Sequence, residues 1–283
     1  MTSDVIERNL DAMRTQVAAW KRAGERVAVV PTMGALHAGH LSLVAAAKAA
    51  CDRVIVTIFV NPKQFNTPED LANYPRTEED DARKLAPFGV DMIYVPDGET
   101  IYPAGFATTV SVSGLTDCMD GVHRPGHFEG VATVVAKLFL QTGADEAFFG
   151  EKDYQQLLVV RRLAWDLDIP ITVIGCPTVR EDNGLALSSR NQRLSSEGMI
   201  AAAQLHVQMK EIARRLGQGE ALSAAVAAAK ATLLRAGFED VEYLDLRGAQ
   251  DLAALDGLDA EARLFAAAWL EGVRLIDNIA VTA

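Results

Sequence analysis

Two imidazoles separated by two small residues, His37-Ala38-Gly39-His40, follow a short apolar run, residues 27–30, that Pro31 should stop. Ala38 and Gly39 leave the approach to both rings open. An Ala-rich run over residues 41–50 comes next, so the tetrapeptide reads as the loop of a strand–loop–helix unit. The first backbone N–H groups of a helix have no intrahelical partner and carry the positive end of its dipole, which suits a phosphate chain. Imidazole N–H groups extend such a site and offset the charge that develops when a phosphorus is attacked, a task of placement rather than covalent chemistry. A His-x-Gly-His tetrapeptide also arises by chance, in on the order of one chain in a hundred at this composition. Two histidines near a helix start serve equally as surface or capping residues.

Further polar groups gather where other apolar runs end. Asn61-Pro62-Lys63-Gln64-Phe65-Asn66 follows the continuous apolar run 54–60. Ligands of open α/β sheets lie beyond the carboxyl ends of strands, so Gln64 should face the same crevice as the two histidines. Its amide donates and accepts, which suits a substrate bearing hydroxyls and a carboxylate; as a plain polar loop residue it needs no ligand. Gly150-Glu151-Lys152-Asp153-Tyr154-Gln155-Gln156 follows the apolar run 147–149. Here Lys152 can neutralise phosphate, Gly150 lets the backbone approach it, and Gln156 can reach a second ligand. In the donor-rich segment 177–191, Ser188, Ser189 and Arg190 offer two hydroxyls and one fixed cation, a phosphate clamp. Asp80 and Asp81 follow Thr77 in a helix start, where they either favour the dipole or help hold a Mg²⁺ that accompanies a nucleotide; capping and solvation weigh more. Arg124, between His123 and His127 in the turn-rich stretch 121–130, belongs to a substrate loop or to an ordinary surface loop.

The elements that must position these groups alternate. A helix over residues 2–23 precedes strands at 27–30, 54–60, 92–95, 147–149 and 171–174, with helices between them and a buried one over 131–140. Strands this apolar are covered on both faces, so the expected class is α/β, a Rossmann-like parallel sheet flanked by helices, over residues 1–185. Beyond it the texture changes. Two Ala-rich helices, 196–216 and 221–236, lead to strand-like runs 241–246, 263–268 and 273–279. Residues 186–283 are expected to form a smaller C-terminal α+β domain that covers the nucleotide site as a lid.

At 283 residues the chain can bury a substantial core, and with 49% hydrophobic residues it reads as globular. No apolar stretch approaches the roughly 18 residues of a membrane span. The polar Met1-Thr2-Ser3-Asp4 start carries no secretion signal pattern, and Cys51, Cys118 and Cys176 are widely spaced without metal-ligand spacing, pointing to reduced thiols in the cytoplasm. A net charge of −11 argues against a nucleic-acid surface but leaves room for a nucleotide held by a few local cations.

Taken in order, His37-Ala38-Gly39-His40, Phe59-Val60-Asn61-Pro62-Lys63-Gln64-Phe65, Tyr74-Pro75-Arg76, Phe149-Gly150-Glu151-Lys152-Asp153 and Leu187-Ser188-Ser189-Arg190-Asn191 make the chain resemble the pantothenate synthetase family nearly end to end. The first motif is shared with other nucleotidylyltransferases and class I aminoacyl-tRNA synthetases; the second and fourth are specific. The resemblance implies ATP-dependent condensation of (R)-pantoate with β-alanine through a pantoyl-adenylate, giving pantothenate, AMP and pyrophosphate, with Mg²⁺ and a cytoplasmic homodimer that binds neither nucleic acid nor membrane. It implies an ATP site lined by Met33, Gly34, Ala35, Leu36, His37, Ala38, Gly39 and His40, with His40 as proton donor and His37 as its phosphate-contacting neighbour. Gly150, Glu151, Lys152 and Asp153 would border the nucleotide, Val179 would contact adenine, and Leu187, Ser188, Ser189 and Arg190 would form the clamp. Lys152 and Arg190 would be the catalytic cations. Gln64 would hold pantoate and lie near β-alanine, Gln156 would hold pantoate, and Asp80 and Asp81 would be the Mg²⁺ candidates. Leu187 stands where the family often has Met, a change of similar volume. The rival readings are another nucleotidylyltransferase acting on a phosphorylated substrate and a module that senses nucleotides without chemistry.

Overall fold

A computed structural model describes residues 5–258 and 260–282; the acidic start at residues 1–4, including the expected helix start at residue 2, lies outside them. The described chain divides into two compact units, one running to Glu151 and adding Gln155–Pro177, the other made of Lys152–Tyr154 and the chain from Thr178 onward.

The first unit is built on six strands: β1 (Ile6–Glu7), β2 (Val27–Thr32), β3 (Arg53–Ile58), β4 (Met92–Tyr94), β5 (Glu146–Gly150) and β6 (Thr172–Cys176). They lie in the order β1-β4-β3-β2-β5-β6, and every pairing is parallel. The expected Rossmann-like sheet is therefore present. Val27 to Val30, Ile55 and Val56 have almost no exposed surface, as strands covered by helices on both faces require. From β2 the chain crosses to β3 and β4 on one side, then returns to place β5 on the other side of β2. A crevice opens at such a reversal, beyond the carboxyl ends of β2 and β5.

Several local details differ from the sequence reading. The first helix is Leu10–Arg22, capped by Asn9, and Ile6–Glu7 instead pairs with β4 as an edge strand. Pro31 does not stop β2. It pairs with Thr57 of β3, while the β5 register stops at Val29, so its missing N–H removes no rung on that side. The expected buried helix extends over His127–Thr142, adding His127 to its first turn. Lys48 and Arg53 converge on Asp91 at 3.1 and 2.8 Å, fixing the start of β3 to the turn before β4.

The second unit carries the antiparallel sheet β7 (Asp240–Gly248), β8 (Ala262–Leu270) and β9 (Val273–Val281) with helices Ser196–Leu216 and Leu222–Arg235. Leu205, Met209, Ile212 and Leu233 from the helices share a core with Leu264, Ala266 and Leu275 from the sheet. Leu185 belongs to that same core, and Arg180 bridges to Ala186, so the hairpin around it packs with the second unit. The division by packing falls at Pro177–Thr178, where the sequence reading drew the boundary at residue 185.

Arg180 ties this hairpin to β9 through a two-pronged pair with Asp277, at 2.6 and 2.8 Å. Burial alone would push the Asp277 carboxyl up; His206 and Arg180 outweigh it and hold the group below the usual carboxylate range. His206 Nδ1 stands 3.5 Å away, too far for a strong hydrogen bond, so the fork of Arg180 is the firmer partner. A carboxyl depressed on folding contributes stability above its unfolded value, about pH 4, and loses it as pH falls through the folded value. The protection factors of the β9 amides, exchange rates taken relative to the intrinsic rate at each pH, should fall as the protein is acidified below about pH 4. Arg180→Ala, which strands a buried carboxylate, should destabilise the second unit by about 3–5 kcal/mol. Unchanged β9 protection in that variant would remove the pair from the account.

Candidate active site

The turn joining β2 to the next helix runs through two successive left-handed residues, Gly34 at φ 79° and Ala35 at φ 50°. The helix then begins at Ala38, earlier than expected, because His37 serves as its N-cap. His37 Nδ1 accepts the Gly39 N–H at 3.2 Å, and His40 Nδ1 accepts the His37 N–H at 3.4 Å. This is a capping box in which imidazoles replace the usual hydroxyl and carboxylate. The ring centroids lie 4.1 Å apart. Since both Nδ1 atoms accept, the hydrogen-bond network assigns the ring proton of each neutral histidine to Nε2, on the far side of the ring from the backbone. The His40 and Leu41 N–H groups return to the His37 carbonyl at 2.9 and 3.1 Å. Much of the helix start is thus satisfied internally, by the two rings and the His37 carbonyl.

At the end of β3, Asn61 is buried and uses its whole side-chain amide. Its Oδ1 accepts from the Lys63 N–H at 3.3 Å and the Tyr102 hydroxyl at 2.8 Å; its Nδ2 donates to Gly130 O and Gln64 Oε1, both at 3.0 Å. Burial pushes the Tyr102 phenol up to about 12, with Asn61 acting against the rise, so this hydroxyl stays a donor. Because Gln64 Oε1 is already an acceptor for Asn61, its NH₂ is the end left to face a ligand oxygen. The stretch 121–130, read from composition as a lid or substrate loop or an ordinary surface loop, is a buttress for this one. His127 is buried with Nδ1 2.8 Å from Gln64 O, and Arg124 reaches His127 Nε2 at 3.1 Å and Asn66 Oδ1 at 3.1 Å. Sequence reading quoted Asn61 and His127 within their motifs but gave neither a role; both are buried polar residues that hold the Gln64 loop.

Beyond β5, Gly150 closes the strand and Glu151 follows in a half-buried turn. The adjacent glutamines divide. Gln155 turns inward and fixes the 115–120 segment through Leu115 O and Cys118 O, both at 2.9 Å. Gln156 is partly exposed, and among the described residues no hydrogen bond is formed by its side chain.

The remaining candidates belong to the second unit. Lys152 Nζ lies 3.6 Å from Asp153 Oδ1, and its carbonyl accepts from Asn278 Nδ2 at 2.8 Å. Val179 accepts the Leu187 N–H through its carbonyl at 3.0 Å, closing the hairpin. Ser188 then caps the single turn Ser189–Arg193, its Oγ accepting the Arg190 N–H at 3.2 Å, while buried Asn191 holds Ala186 O at 3.0 Å. The clamp residues thus sit on a short, capped turn anchored from below.

Asp80 and Asp81 are otherwise engaged than as metal ligands. Asp80 pairs with Arg83 at 3.0 Å and Lys84 at 2.6 Å. Asp81 is fully buried and accepts the Leu36 and Ala35 N–H groups at 2.7 and 2.9 Å. Thr77, expected to cap this helix with its hydroxyl, gives that hydroxyl to Asp81 Oδ2 at 3.2 Å instead. Among the described residues no cluster of three or more His, Cys, Asp or Glu is placed to hold a metal. Both carboxylates are thus committed to partners within the fold.

Comparison with known proteins follows the same lines. A family model described as pantoate-beta-alanine ligase matches residues 5–280. A pantothenate synthetase of Ruegeria pomeroyi is 68% identical over 277 residues, spanning 98% of this chain and 97% of its own. One from Caulobacter vibrioides is 54% identical over 284 residues, spanning 99% and 100%. The crystal structure of pantothenate synthetase from Thermus thermophilus superposes with a TM-score of 0.91 at 45% identity, covering 98% of this chain and 99% of that one. The pantoate-beta-alanine ligase of Francisella tularensis, solved with beta-gamma ATP and beta-alanine, superposes with a TM-score of 0.84 at 34% identity, covering 98% and 97%.

One packing contact in the Gln64 loop yields a direct test. A Cβ on Gly130 would meet Lys63 O at 2.3 Å and Gln64 N at 2.8 Å, both backbone atoms that cannot rotate aside. Gly130→Ala should cost about 1–3 kcal/mol in thermal unfolding through overpacking. A variant as stable as the parent would show that the helix His127–Thr142 does not buttress this loop.

Proposed function

The chain belongs to the pantoate–β-alanine ligase family, and we propose that it reaches its product through a pantoyl-adenylate. It is an ATP-dependent ligase that joins pantoate to β-alanine, giving pantothenate, AMP and pyrophosphate. A pantoate carboxylate oxygen forms a bond to the α-phosphorus while the bond to pyrophosphate breaks, and pyrophosphate leaves with the electron pair. The neutral amine of β-alanine then attacks the activated carbonyl carbon, AMP departs with its oxygen, and the nitrogen gives up a proton.

What supports this assignment of roles is the imidazole capping box, which sets the His37 and His40 rings with centroids 4.1 Å apart just after β2, each with Nδ1 turned to the backbone. His40 donates toward the phosphate that loses pyrophosphate, and His37 holds the neighbouring phosphate oxygens. Met33, Gly34, Ala35, Leu36, Ala38 and Gly39 give the nucleotide its backbone wall, with Gly150 and Glu151 bordering it from β5. In the second unit, Lys152 and Arg190 supply cations to the phosphates, Ser188 and Ser189 supply hydroxyls, Val179 and Leu187 supply apolar contact to adenine and ribose, and Asp153 orients Lys152. Gln64, with its oxygen occupied by Asn61, offers its NH₂ to the pantoate carboxylate, and Gln156 offers an amide to the hydroxyls. The Mg²⁺ that the family implies would ride on the phosphates and water rather than on Asp80 or Asp81. The enzyme is assigned to the cytoplasm and to a homodimer formed through its larger unit, which analytical ultracentrifugation tests directly; among the described residues, no helix is long and apolar enough to cross a membrane.

With ATP and pantoate supplied, AMP release should depend on β-alanine. His40→Ala or Lys152→Ala should lower that release roughly 10²–10³-fold while leaving the circular dichroism spectrum intact. Near-normal pantothenate formation by either purified variant would remove that residue from the mechanism.

A further inference from the structure

Asp81 is fully buried in the helix Glu78–Leu85, and nothing in the reaction calls on it. Its carboxylate chelates two consecutive backbone N–H groups, Ala35 on Oδ2 at 2.9 Å and Leu36 on Oδ1 at 2.7 Å. A chain that turns through left-handed residues can bring two successive N–H groups onto one anion, and here Gly34 and Ala35 stand at φ 79° and 50°. Glycine adopts that conformation freely. Alanine does so at a cost of roughly 1–2 kcal/mol, so its conformation persists only where surrounding contacts impose it. One turn further along the same helix, Lys84 Nζ donates to the Leu36 carbonyl at 2.8 Å. The helix thus grips the peptide groups of Ala35 and Leu36, immediately before His37. Gly34 is part of the same fit, since a Cβ there would lie 3.0 Å from Asp81 Oδ2.

We propose that Asp81 is the positioning residue of the imidazole pair. By fixing the turn that leads into the helix, it sets where the His37 N–H and the Gly39 N–H lie. Those two groups occupy Nδ1 of His40 and His37, so the carboxylate determines, at one remove, that both rings carry their proton on Nε2 and present it to the phosphates. This rests on the reading that the two histidines serve the nucleotide. Asp81 itself touches no substrate. An amide in its place would face a backbone N–H with an NH₂ at one of two positions where the native chain has an oxygen, and the turn would have to open. The rings would then exchange between tautomers and swing from their places.

The test uses the purified full chain with Asp81→Asn. Expected are a kcat lowered about 10²-fold, the cost of misplacing a reacting group by roughly 1 Å, and a KM for pantoate changed less than about threefold. The Mg²⁺ concentration for half-maximal rate should not move. Nitrogen-15 spectra of the labelled histidines should change from the Nε2–H pattern in the parent to an averaged pattern in the variant. A shifted Mg²⁺ requirement with intact ring signals would overturn the inference in favour of a metal ligand. A lowered melting temperature with kcat and ring signals preserved below the transition would leave Asp81 a merely structural residue, and also overturn it. Should Asp81→Asn fail to fold, Lys84→Met, which releases the grip on the Leu36 carbonyl, carries the same readouts. If His40→Ala keeps full turnover, the reading of the histidines fails; if His40→Ala is inactive while Asp81→Asn is normal in kcat and spectra, only the present inference fails.

Discussion

The pairing of β2 with β5 is the constraint from which the polar architecture of the first unit follows. Chain that leaves β2 goes to one side of the sheet, and β5 arrives on the other, so the connections depart in opposite directions and leave a gap beyond the two strand ends. Into that gap the sequence places groups that are costly to bury and useful to expose: the His37 and His40 rings, and Gly150 with Glu151. Gln64 belongs to the neighbouring strand end, where Asn61 settles which end of its amide remains available.

The imidazoles show how one set of hydrogen bonds can satisfy two demands. A helix start needs acceptors for its first N–H groups, and a polyphosphate needs donors. A hydroxyl cap would meet the first demand only. A histidine cap carries a second ring nitrogen besides the one that serves the backbone, so one side chain can answer both demands.

Charge is arranged with the same economy in a chain of net −11. Cations are committed within the fold: Arg53 to Glu25 and Asp91, Lys21 to Asp145, Arg26 to Glu146, Arg180 to Asp277, Arg274 to Glu242. Lys152 differs. It stands 3.6 Å from its chain neighbour Asp153, a looser pair than these. An acidic protein can hold a nucleotide in this way because the interaction is local, screened beyond about 10 Å.

Residue order alone determined the fold class, because apolar runs three to seven residues long alternating with helices admit little besides a covered parallel sheet, and the motif residues were legible because unusual types recur at strand ends. It did not determine where the helix after β2 begins, that Ile6–Glu7 is an edge strand, that Pro31 stays inside β2, or which of Gln155 and Gln156 turns inward. Nor could it reveal that Asp81 serves Leu36, 45 residues away in the chain, or that His127 serves Gln64, 63 residues away. The physical reason is common to all of these. Periodicity reports which face of an element is apolar, a property of neighbours in sequence. The partner of a buried polar group is decided by what packing brings opposite it, and only the tertiary structure sets that.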